Sequence, residues 1–322
     1  MSENPILDAV FDSWRTSVIT TACRLGVFSR LDGHKMSAGE LARDTGCVPR
    51  LLEALLDACV AIGLLRREEG TYFNSHLSSA YLVEGRPLYL GHVLEVQARG
   101  AARWNRLLDV MRTGKVPTIP DEVNEQDPIF TLAMNDLGAH NEAEALASSV
   151  DLSRCRTLLD LGCGSGIYAI ALCRHFPQIA ATLIDREQVL RTTKELVDAS
   201  GLADRIRLLP GDMTISAIPG DADAVLLSDS LYFDPAVSMR ILEAVRAALK
   251  PDGTLIIRGY YHDAGGSESL FGALFRLNLL LFRPERTPPA VRDISGLLTQ
   301  IGFRNVRWFA LTERSSCFVG TK

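Results

Sequence analysis

Cysteine pairs, excess charge and long apolar runs are all scarce in this chain of 322 residues. The seven cysteines are scattered without zinc or redox spacing, so we expect a reduced, cytoplasmic protein without a metal site. A net charge of −5 does not support a nucleic-acid-binding surface. The N-terminus carries acids and no long apolar core, unlike a signal peptide. The apolar stretch 270–282 is interrupted by Arg276 and Asn278 and is too short for a membrane span.

The most informative pattern is a strand, a glycine-rich turn, a helix and a second strand. An apolar strand predicted from Thr157 leads into Gly162, Gly164 and Gly166, and the second strand ends on Asp185. Glycines at such a turn let the backbone approach a ligand and adopt left-handed dihedral angles. An acid at the tip of the second strand suits a pair of ribose hydroxyls. The pattern therefore predicts a nucleoside-binding βαβ unit.

Asp160, just before the glycines, indicates which nucleoside this unit binds. A carboxylate there would repel the pyrophosphate of a dinucleotide, which needs the positive end of a helix. A cofactor without phosphate and with a cationic end, S-adenosylmethionine, is favoured. We expect Asp160 and the three glycines to hold its methionine end and Asp185 its ribose.

Three more strands are predicted downstream. Gly211, Asp212 and Met213 close the first of them, where an acid and an apolar side chain can flank adenine. Ser228 ends the second on the cofactor side, and a Pro-Gly turn leads into the third, at 249–257. This series resembles the class I S-adenosylmethionine-dependent methyltransferases over about the last 170 residues.

The N-terminal part predicts a small, mostly helical domain. A helix is predicted at 5–30, a capping box pairs Ser37 with Glu40 in front of another, and Pro49 opens a third. A β-hairpin around Gly70 completes the helix, helix, hairpin order of a winged helix. The helix that would read DNA offers Arg50, Glu53 and Asp57 on its open face, a poor set for base contacts. We therefore favour dimerisation over DNA binding.

A winged-helix domain before this nucleoside fold resembles the plant and bacterial small-molecule O-methyltransferase family. Three segments resemble the family's own: a tryptophan stretch at Trp104, the segment FTLAMND from Phe130 with Met134, and PERT at 284–287. The resemblance implies an α/β fold, with a Rossmann-like seven-stranded methyltransferase domain after a winged-helix homodimerisation domain. It places Trp104, Phe130, Met134 and Tyr260 around the acceptor. It also makes 269–282 a cap over an apolar acceptor.

The expected domain boundaries follow from this resemblance. Residues 1–100 form the winged-helix dimerisation domain, 101–150 are connecting helices that line the acceptor pocket, and 151–322 form the catalytic domain that binds S-adenosylmethionine.

The family's catalytic histidine is missing. Tyr232 occupies its position, Gly259 stands where the family has a supporting glutamate, and the second supporting glutamate is retained as Glu285. An unperturbed phenol titrates near 10, so Tyr232 is expected to orient an acceptor rather than to act as a base. His140 and His262 are the alternative bases.

Methyl transfer to a hydrophobic small molecule is the expected reaction, through oxygen, carbon or nitrogen. The changed catalytic positions leave two alternatives open. One is a family member that binds the cofactor but catalyses a pericyclic, decarboxylating or hydroxylating reaction. The other is a winged-helix regulator that senses S-adenosylmethionine.

Overall fold

The computed structural model describes residues 4–120, 122–261, 270–284, 286 and 289–322. They divide into two compact units between Ala101 and Ala102.

The first unit is mostly helical and contains a three-stranded antiparallel sheet in the order β1-β3-β2. Its helices are α1 (Pro5–Arg24), α2 (Val27–Arg30), α3 (Ala38–Thr45), α4 (Pro49–Ile62), α5 (His76–Tyr81) and α6 (Gly91–Trp104), of which α6 runs past the division. Its strands are β1 (Met36–Ser37), β2 (Leu65–Glu68) and β3 (Thr71–Asn74).

Local signals in the sequence account for most of these boundaries. The Ser37–Glu40 capping box is present, since the Glu40 amide donates to the Ser37 hydroxyl at 3.3 Å and the Ser37 amide donates to the Glu40 carboxylate at 2.7 Å. Pro49 is the first residue of α4. The single helix expected at 5–30 was wrong: Gly26 adopts a left-handed φ of 64° and separates α1 from α2.

The second unit is an α/β fold. Its first helical elements are α7 (Leu107–Thr113), α8 (Pro128–Leu137), a π-helical turn (Gly138–Glu142) and α9 (Ala143–Ser149). The remaining helices are α10 (Ile167–His175), α11 (Glu187–Ser200), α12 (Pro235–Ala248), α13 (Leu270–Phe282) and α14 (Val291–Ile301). The strands are β4 (Thr157–Leu161), β5 (Ala180–Asp185), β6 (Ile206–Pro210), β7 (Ala222–Ser228), β8 (Leu249–Gly259), β9 (Arg304–Ala310) and β10 (Ser316–Thr321).

These strands form the expected seven-stranded sheet, in the order β6-β5-β4-β7-β8-β10-β9. Strands β4 to β8 pair in parallel, while β10 runs antiparallel to both β8 and β9. Parallel strands bring their carboxyl ends to one edge, and the order reverses direction at β4. The turns after five strands therefore converge on one region.

Helices cover both faces of the sheet. Side chains alternate along β4, so Leu158 packs into one core with Leu146 and Leu172, whereas Leu159 packs into the other with Leu242 and Leu298. Within the described residues, no helix is long and apolar enough to cross a membrane.

Candidate functional site

A cavity of about 350 Å³ lies at the carboxyl ends of the parallel strands, within the second unit. Most of the residues predicted to hold the cofactor line it, namely Gly162, Gly164, Asp185, Gly211, Asp212, Met213 and Ser228. These residues lie at the carboxyl ends of β4, β5, β6 and β7 or in the turns that follow them, as expected of a ligand site in an open α/β sheet.

The glycine turn after β4 is held close to β5. Gly162 and Gly164 have left-handed φ angles of 68° and 54°. The Gly162 amide donates to the Ile184 carbonyl at 2.8 Å, and the Gly164 amide donates to the Asp185 carboxylate at 2.9 Å. A Cβ on Gly162 would lie 3.1 Å from the Met213 methyl, so a side chain there would require Met213 to shift.

Asp185 fixes the turn as well as lining the cavity. One carboxylate oxygen accepts from the Gly164 amide, and the other accepts from the Arg186 amide at 2.8 Å. Burial raises the pKa of this carboxyl, although the two backbone donors oppose the rise. Each oxygen keeps a further lone pair for a ligand hydroxyl.

Asp160 and Gly166, also predicted to hold the cofactor, do not line the cavity. Asp160 is 1% exposed behind the turn, and its Oδ1 has no hydrogen-bond partner. Burial, with the charge of Asp185 adding to it, raises its pKa to about 8. A Cβ on Gly166 would lie 2.7 Å from Leu183, so this glycine serves close packing between α10 and β5.

The turn after β6 presents Asp212 and Met213 to the cavity. The Thr214 hydroxyl and amide donate to Asp212 Oδ1 at 2.6 and 2.9 Å, and the hydroxyl bond is the main reason that the pKa of Asp212 is lowered. This carboxylate is therefore fixed by its own turn. Met213 lines the cavity beside it and supplies an apolar surface.

Two serines beside the glycine turn have unsatisfied hydroxyls. The Oγ atoms of Ser228 and Ser230 are buried, line the cavity and have no hydrogen-bond partner. Buried polar atoms are rarely left unpaired, so such atoms mark a place where a ligand completes the hydrogen bonds. With the glycine cradle and Asp185, they fit the polar end and ribose of S-adenosylmethionine. Ser230 was not predicted, because it lies two residues beyond Ser228, where the strand recognised in the sequence ends.

One wall of the cavity is largely aromatic and apolar. Three of the residues predicted to surround the acceptor, Phe130 and Met134 from α8 and Tyr260 directly after β8, line it together with Tyr168 and Phe233. Trp104, predicted to join them, does not line it: its indole N–H donates to Asn278 on α13 at 3.2 Å.

Helix α13, expected to cap the acceptor pocket, packs behind Tyr260. The rings of Phe271 and Phe275 lie 5.1 and 4.8 Å from the Tyr260 ring. No described residue of α13 lines the cavity. Ser269, the first residue of the predicted cap, lies outside the described residues.

The Tyr232 hydroxyl is held inside the protein. It donates to Asp229 Oδ1 at 2.8 Å and accepts from the Tyr260 amide at 2.9 Å, and the side chain is buried beside Phe275 and Tyr261. Tyr232 is absent from the described lining of the cavity. Burial raises its pKa well above the ordinary value, which removes it further from acting as a base.

Arg258 on β8 organises a buried charge network that the motifs did not indicate. Its guanidinium is fully buried, forms ion pairs with Asp229 and Glu142, and lies 4.3 Å from the ring of Tyr260. Although burial opposes it, Arg258 and hydrogen bonds from Ser315 and Thr312 hold the pKa of Glu142 below its ordinary value. Asp229 is the member of the network that has both an ion pair with Arg258 and a place in the cavity wall. The one sign of this network in the sequence is that an arginine, Arg258, interrupts the apolar run of β8.

His140 is the one alternative base that the described part of the chain includes. His140 lies in the π-helical turn with φ −82° and ψ 68° and does not line the cavity. His262 and Glu285 lie outside the described residues. The neighbouring Arg286 does line it, pairing with Glu125 at 3.0 Å and covering the Phe233 ring at 5.2 Å.

Comparison with known families gives two matches. Residues 118–304 match the O-methyltransferase domain, and residues 7–84 match the O-methyltransferase dimerisation domain.

Individual relatives cover most of the chain. A 3-hydroxy-5-methyl-1-naphthoate 3-O-methyltransferase from Streptomyces sahachiroi is 33% identical over 86% of this chain and 82% of its own. The tetracenomycin polyketide synthesis 8-O-methyl transferase of Streptomyces glaucescens is 27% identical over 98% and 96%. The crystal structure of human N-acetylserotonin methyltransferase with S-adenosylmethionine has the same fold, with a TM-score of 0.88, 23% identity and coverage of 100% and 99%.

Proposed function

The chain belongs to the O-methyltransferase family, and from that membership we propose that it methylates a hydroxyl group of an apolar, aromatic small molecule. It is an S-adenosylmethionine-dependent methyltransferase. The observation that carries the acceptor class is the cavity itself, where a polar glycine turn and Asp185 meet an aromatic wall of Phe130, Tyr168 and Tyr260.

The chain's own residues divide the cavity between cofactor and acceptor. Bound S-adenosylmethionine supplies a methyl group on a positively charged sulfur, which activates that methyl for displacement. We assign its methionine end to the glycine turn and the Ser228 and Ser230 hydroxyls. Asp185 would hold the ribose, and Asp212 and Met213 would flank the adenine. Asp160 lies beneath the turn, and the positive charges of a bound S-adenosylmethionine would favour its ionised form.

The acceptor would be a hydroxylated aromatic of about two fused rings. The wall of Phe130, Met134, Phe233 and Tyr260 excludes water from one side of the cavity. Binding there orients the hydroxyl and removes its hydration, which is the main contribution a protein makes when the cofactor brings the reactive group. One relative is named for a hydroxylated naphthoate, which is a ring system of this kind.

We further propose that the protein is a homodimer through its first unit and works in the cytoplasm. Helix α1 exposes Val10 and Trp14 by 53% and 67%, and a match to a dimerisation domain spans residues 7–84. All seven cysteines are free thiols, as in a reducing compartment. We keep the domain division at 1–100, 101–150 and 151–322 as part of this proposal.

Neither alternative has a supporting observation. The relatives are named as methyltransferases, not as regulators or as enzymes of another reaction class. The test is to incubate the protein with S-adenosylmethionine and 3-hydroxy-1-naphthoate or 2-naphthol and to analyse the mixture by mass spectrometry. We expect a methyl ether and an equal amount of S-adenosylhomocysteine. Cofactor binding without S-adenosylhomocysteine formation would favour the non-methylating alternative.

A further inference from the structure

Tyr232 occupies the position of the family's catalytic base and is not among the described residues that line the cavity. The Tyr232 hydroxyl is turned to Asp229 and the Tyr260 amide, and no histidine is among the described residues that line the cavity. A phenol or alcohol loses its proton during methyl transfer, and a positioned base accelerates that loss. Another group must accept the proton if the protein assists this step.

We propose that Asp229 is the proton acceptor for the acceptor's hydroxyl, with Arg258 and Tyr232 as its positioning residues; this rests on the proposed function. Asp229 directly follows β7 and lines the cavity. Its side chain is 30% exposed, while its ion-pair partner Arg258 is fully buried. The carboxylate is therefore accessible from the cavity, while buried Arg258 fixes it from the protein interior.

The backbone aims this carboxylate. Asp229 adopts a left-handed φ of 50°, which is uncommon for a residue with a side chain although Asp tolerates it better than most. Its amide donates to the Arg258 carbonyl at 2.8 Å, which ties the turn to β8. The Tyr232 hydroxyl then holds Oδ1 at 2.8 Å, and Arg258 holds Oδ2.

The strand order separates Asp229 from the other cavity carboxylates. Asp185 ends β5 and Asp212 follows β6, on one side of β4, whereas Asp229 follows β7 on the other side. The first two face the ribose and adenine in our assignment. Asp229 lies next to Tyr260 in the acceptor wall, so it is the carboxylate at the reacting end.

The charges around Asp229 favour uptake of a proton. Two carboxylates, Asp229 and Glu142, share one guanidinium, Arg258, so the dehydrated network carries one excess negative charge. Burial raises the pKa of Asp229, while Arg258 and the Tyr232 hydroxyl oppose the rise. The other titratable groups facing it are the phenols of Tyr168, Tyr260 and Tyr261. A carboxylate with a raised pKa is a stronger base than an exposed one.

The hydroxyl proton of the acceptor passes to the Asp229 carboxylate while the hydroxyl oxygen forms a bond to the methyl carbon. The methyl–sulfur bond breaks, and its electron pair stays on sulfur, which becomes the neutral thioether of S-adenosylhomocysteine. Protonated Asp229 then releases its proton to solvent as the products leave.

The first arm of the test measures transfer to 2-naphthol and to the more acidic 6-cyano-2-naphthol across pH. We expect Asp229→Asn to lower kcat for 2-naphthol by about 10²- to 10³-fold, the usual contribution of a general base. The remaining rate of this variant should rise with pH up to the naphthol's own pKa. With the more acidic cyano compound, the variant should lose much less activity relative to the wild type. An equal loss for both naphthols with the wild-type pH profile would mean a structural role and would overturn the proposal.

The second arm does not depend on turnover. Infrared difference spectra of the S-adenosylhomocysteine complex, titrated in pH in an Asp160→Asn background because Asp160 also gives a buried carboxylic acid band, should show a band that Asp229→Asn removes. Asp198→Asn, on the exposed face of α11, is the matched control and should leave the band unchanged. An identical band in Asp229→Asn would overturn the assignment. Calorimetry with S-adenosylhomocysteine checks that each variant keeps its cofactor site.

A third variant keeps the proposal testable if Asp229→Asn does not fold. Tyr232→Phe removes a donor to the ionised carboxylate, so the pKa of Asp229 should rise. The acidic limb of the pH profile of kcat and the infrared titration should both move to higher pH, and an unmoved limb and band would overturn the positioning role. Wild-type protein that forms no S-adenosylhomocysteine with either naphthol overturns the proposed acceptor class, and the infrared arm still tests Asp229.

Discussion

Asp185 lines the proposed cofactor site and also fixes the glycine turn, because its two oxygens accept hydrogen bonds from the Gly164 and Arg186 amides. A carboxylate that also accepts from ribose hydroxyls forms charge-assisted bonds, so we expect Asp185→Asn to weaken S-adenosylhomocysteine binding by about 1.5–3 kcal/mol. Titration calorimetry measures this directly. Asp198→Asn is the control. Unchanged affinity in a folded Asp185→Asn protein would place the ribose elsewhere.

Asp160 makes the stability of the cofactor-free protein depend on pH. Its pKa is raised to about 8, whereas an unfolded aspartate titrates near about 3.9. Between these values the folded protein keeps a proton that the unfolded chain has lost. The stability contributed by this group is therefore complete below about pH 4 and is lost as the pH rises through about 8.

Asp160→Asn should remove that dependence. We expect the variant to gain stability relative to the wild type as the pH rises from about 5 to about 8, by on the order of a few kcal/mol. Calorimetric unfolding at several pH values without cofactor measures the difference. A difference that stays constant with pH would show that Asp160 is already ionised in the folded protein.

Single residues also show what the sequence could predict. Gly162, Asp185 and Met213 belong to short motifs, so their place at the cavity could be anticipated from their neighbours along the chain. The Asp229 network could not, because Arg258 is 29 positions from Asp229 and 116 from Glu142. Only the paired strands and the π-helical turn bring these charges together.

At the scale of elements, the glycine turn after β4 gives a matched pair of variants. Gly162 and Gly201 have left-handed φ angles of 68° and 74°, so alanine costs about 1 kcal/mol of backbone strain at either. A Cβ at Gly162 would also meet Met213 and Ser230 at 3.1 and 3.3 Å, while nothing lies within 4 Å at Gly201.

The two variants should therefore separate stability from binding. We expect both to lose stability through backbone strain, Gly162→Ala somewhat more because of its contacts, whereas Gly162→Ala alone should lose at least about tenfold in affinity for S-adenosylhomocysteine, about 1.4 kcal/mol. Calorimetric titration and thermal unfolding of both proteins measure this. Equal affinities would mean that Met213 moves aside freely and that the turn does not form the cofactor cradle.

Most helices and strands could be predicted from the sequence, and the boundaries that were not predicted have local causes. The capping box, Pro49 and the parallel strands all carry short-range signals. The break between α1 and α2 was missed because Gly26 lies within an apolar, helix-like pattern, and only its left-handed conformation ends the helix. The π-helical turn was also missed, since Asn141 with φ 67° interrupts a pattern that otherwise suits one continuous helix.

At the scale of the whole molecule, the apolar face of α1 predicts assembly. Phe11 and Trp14 are 49% and 67% exposed and pack against each other. Such a face is normally covered by a partner. We expect light scattering to give the mass of a dimer for the wild type and that of a monomer for Trp14→Asp.

Ile215→Asp is the control for that experiment, because Ile215 is an apolar side chain, 85% exposed, in the second unit. It should leave the dimer intact. A wild-type protein that is monomeric at micromolar concentration would contradict the proposed assembly, and specific binding of duplex DNA at physiological salt would revive the regulator.

The central claim, that this chain transfers a methyl group to an aromatic hydroxyl, is tested most directly with S-adenosylmethionine labelled in its methyl carbon. The labelled cofactor is incubated with the protein and 3-hydroxy-1-naphthoate, and the product is examined by carbon NMR. The account predicts one labelled methyl group bound to oxygen and an equal amount of S-adenosylhomocysteine. Label on a ring carbon, or bound cofactor that is never converted, would contradict it.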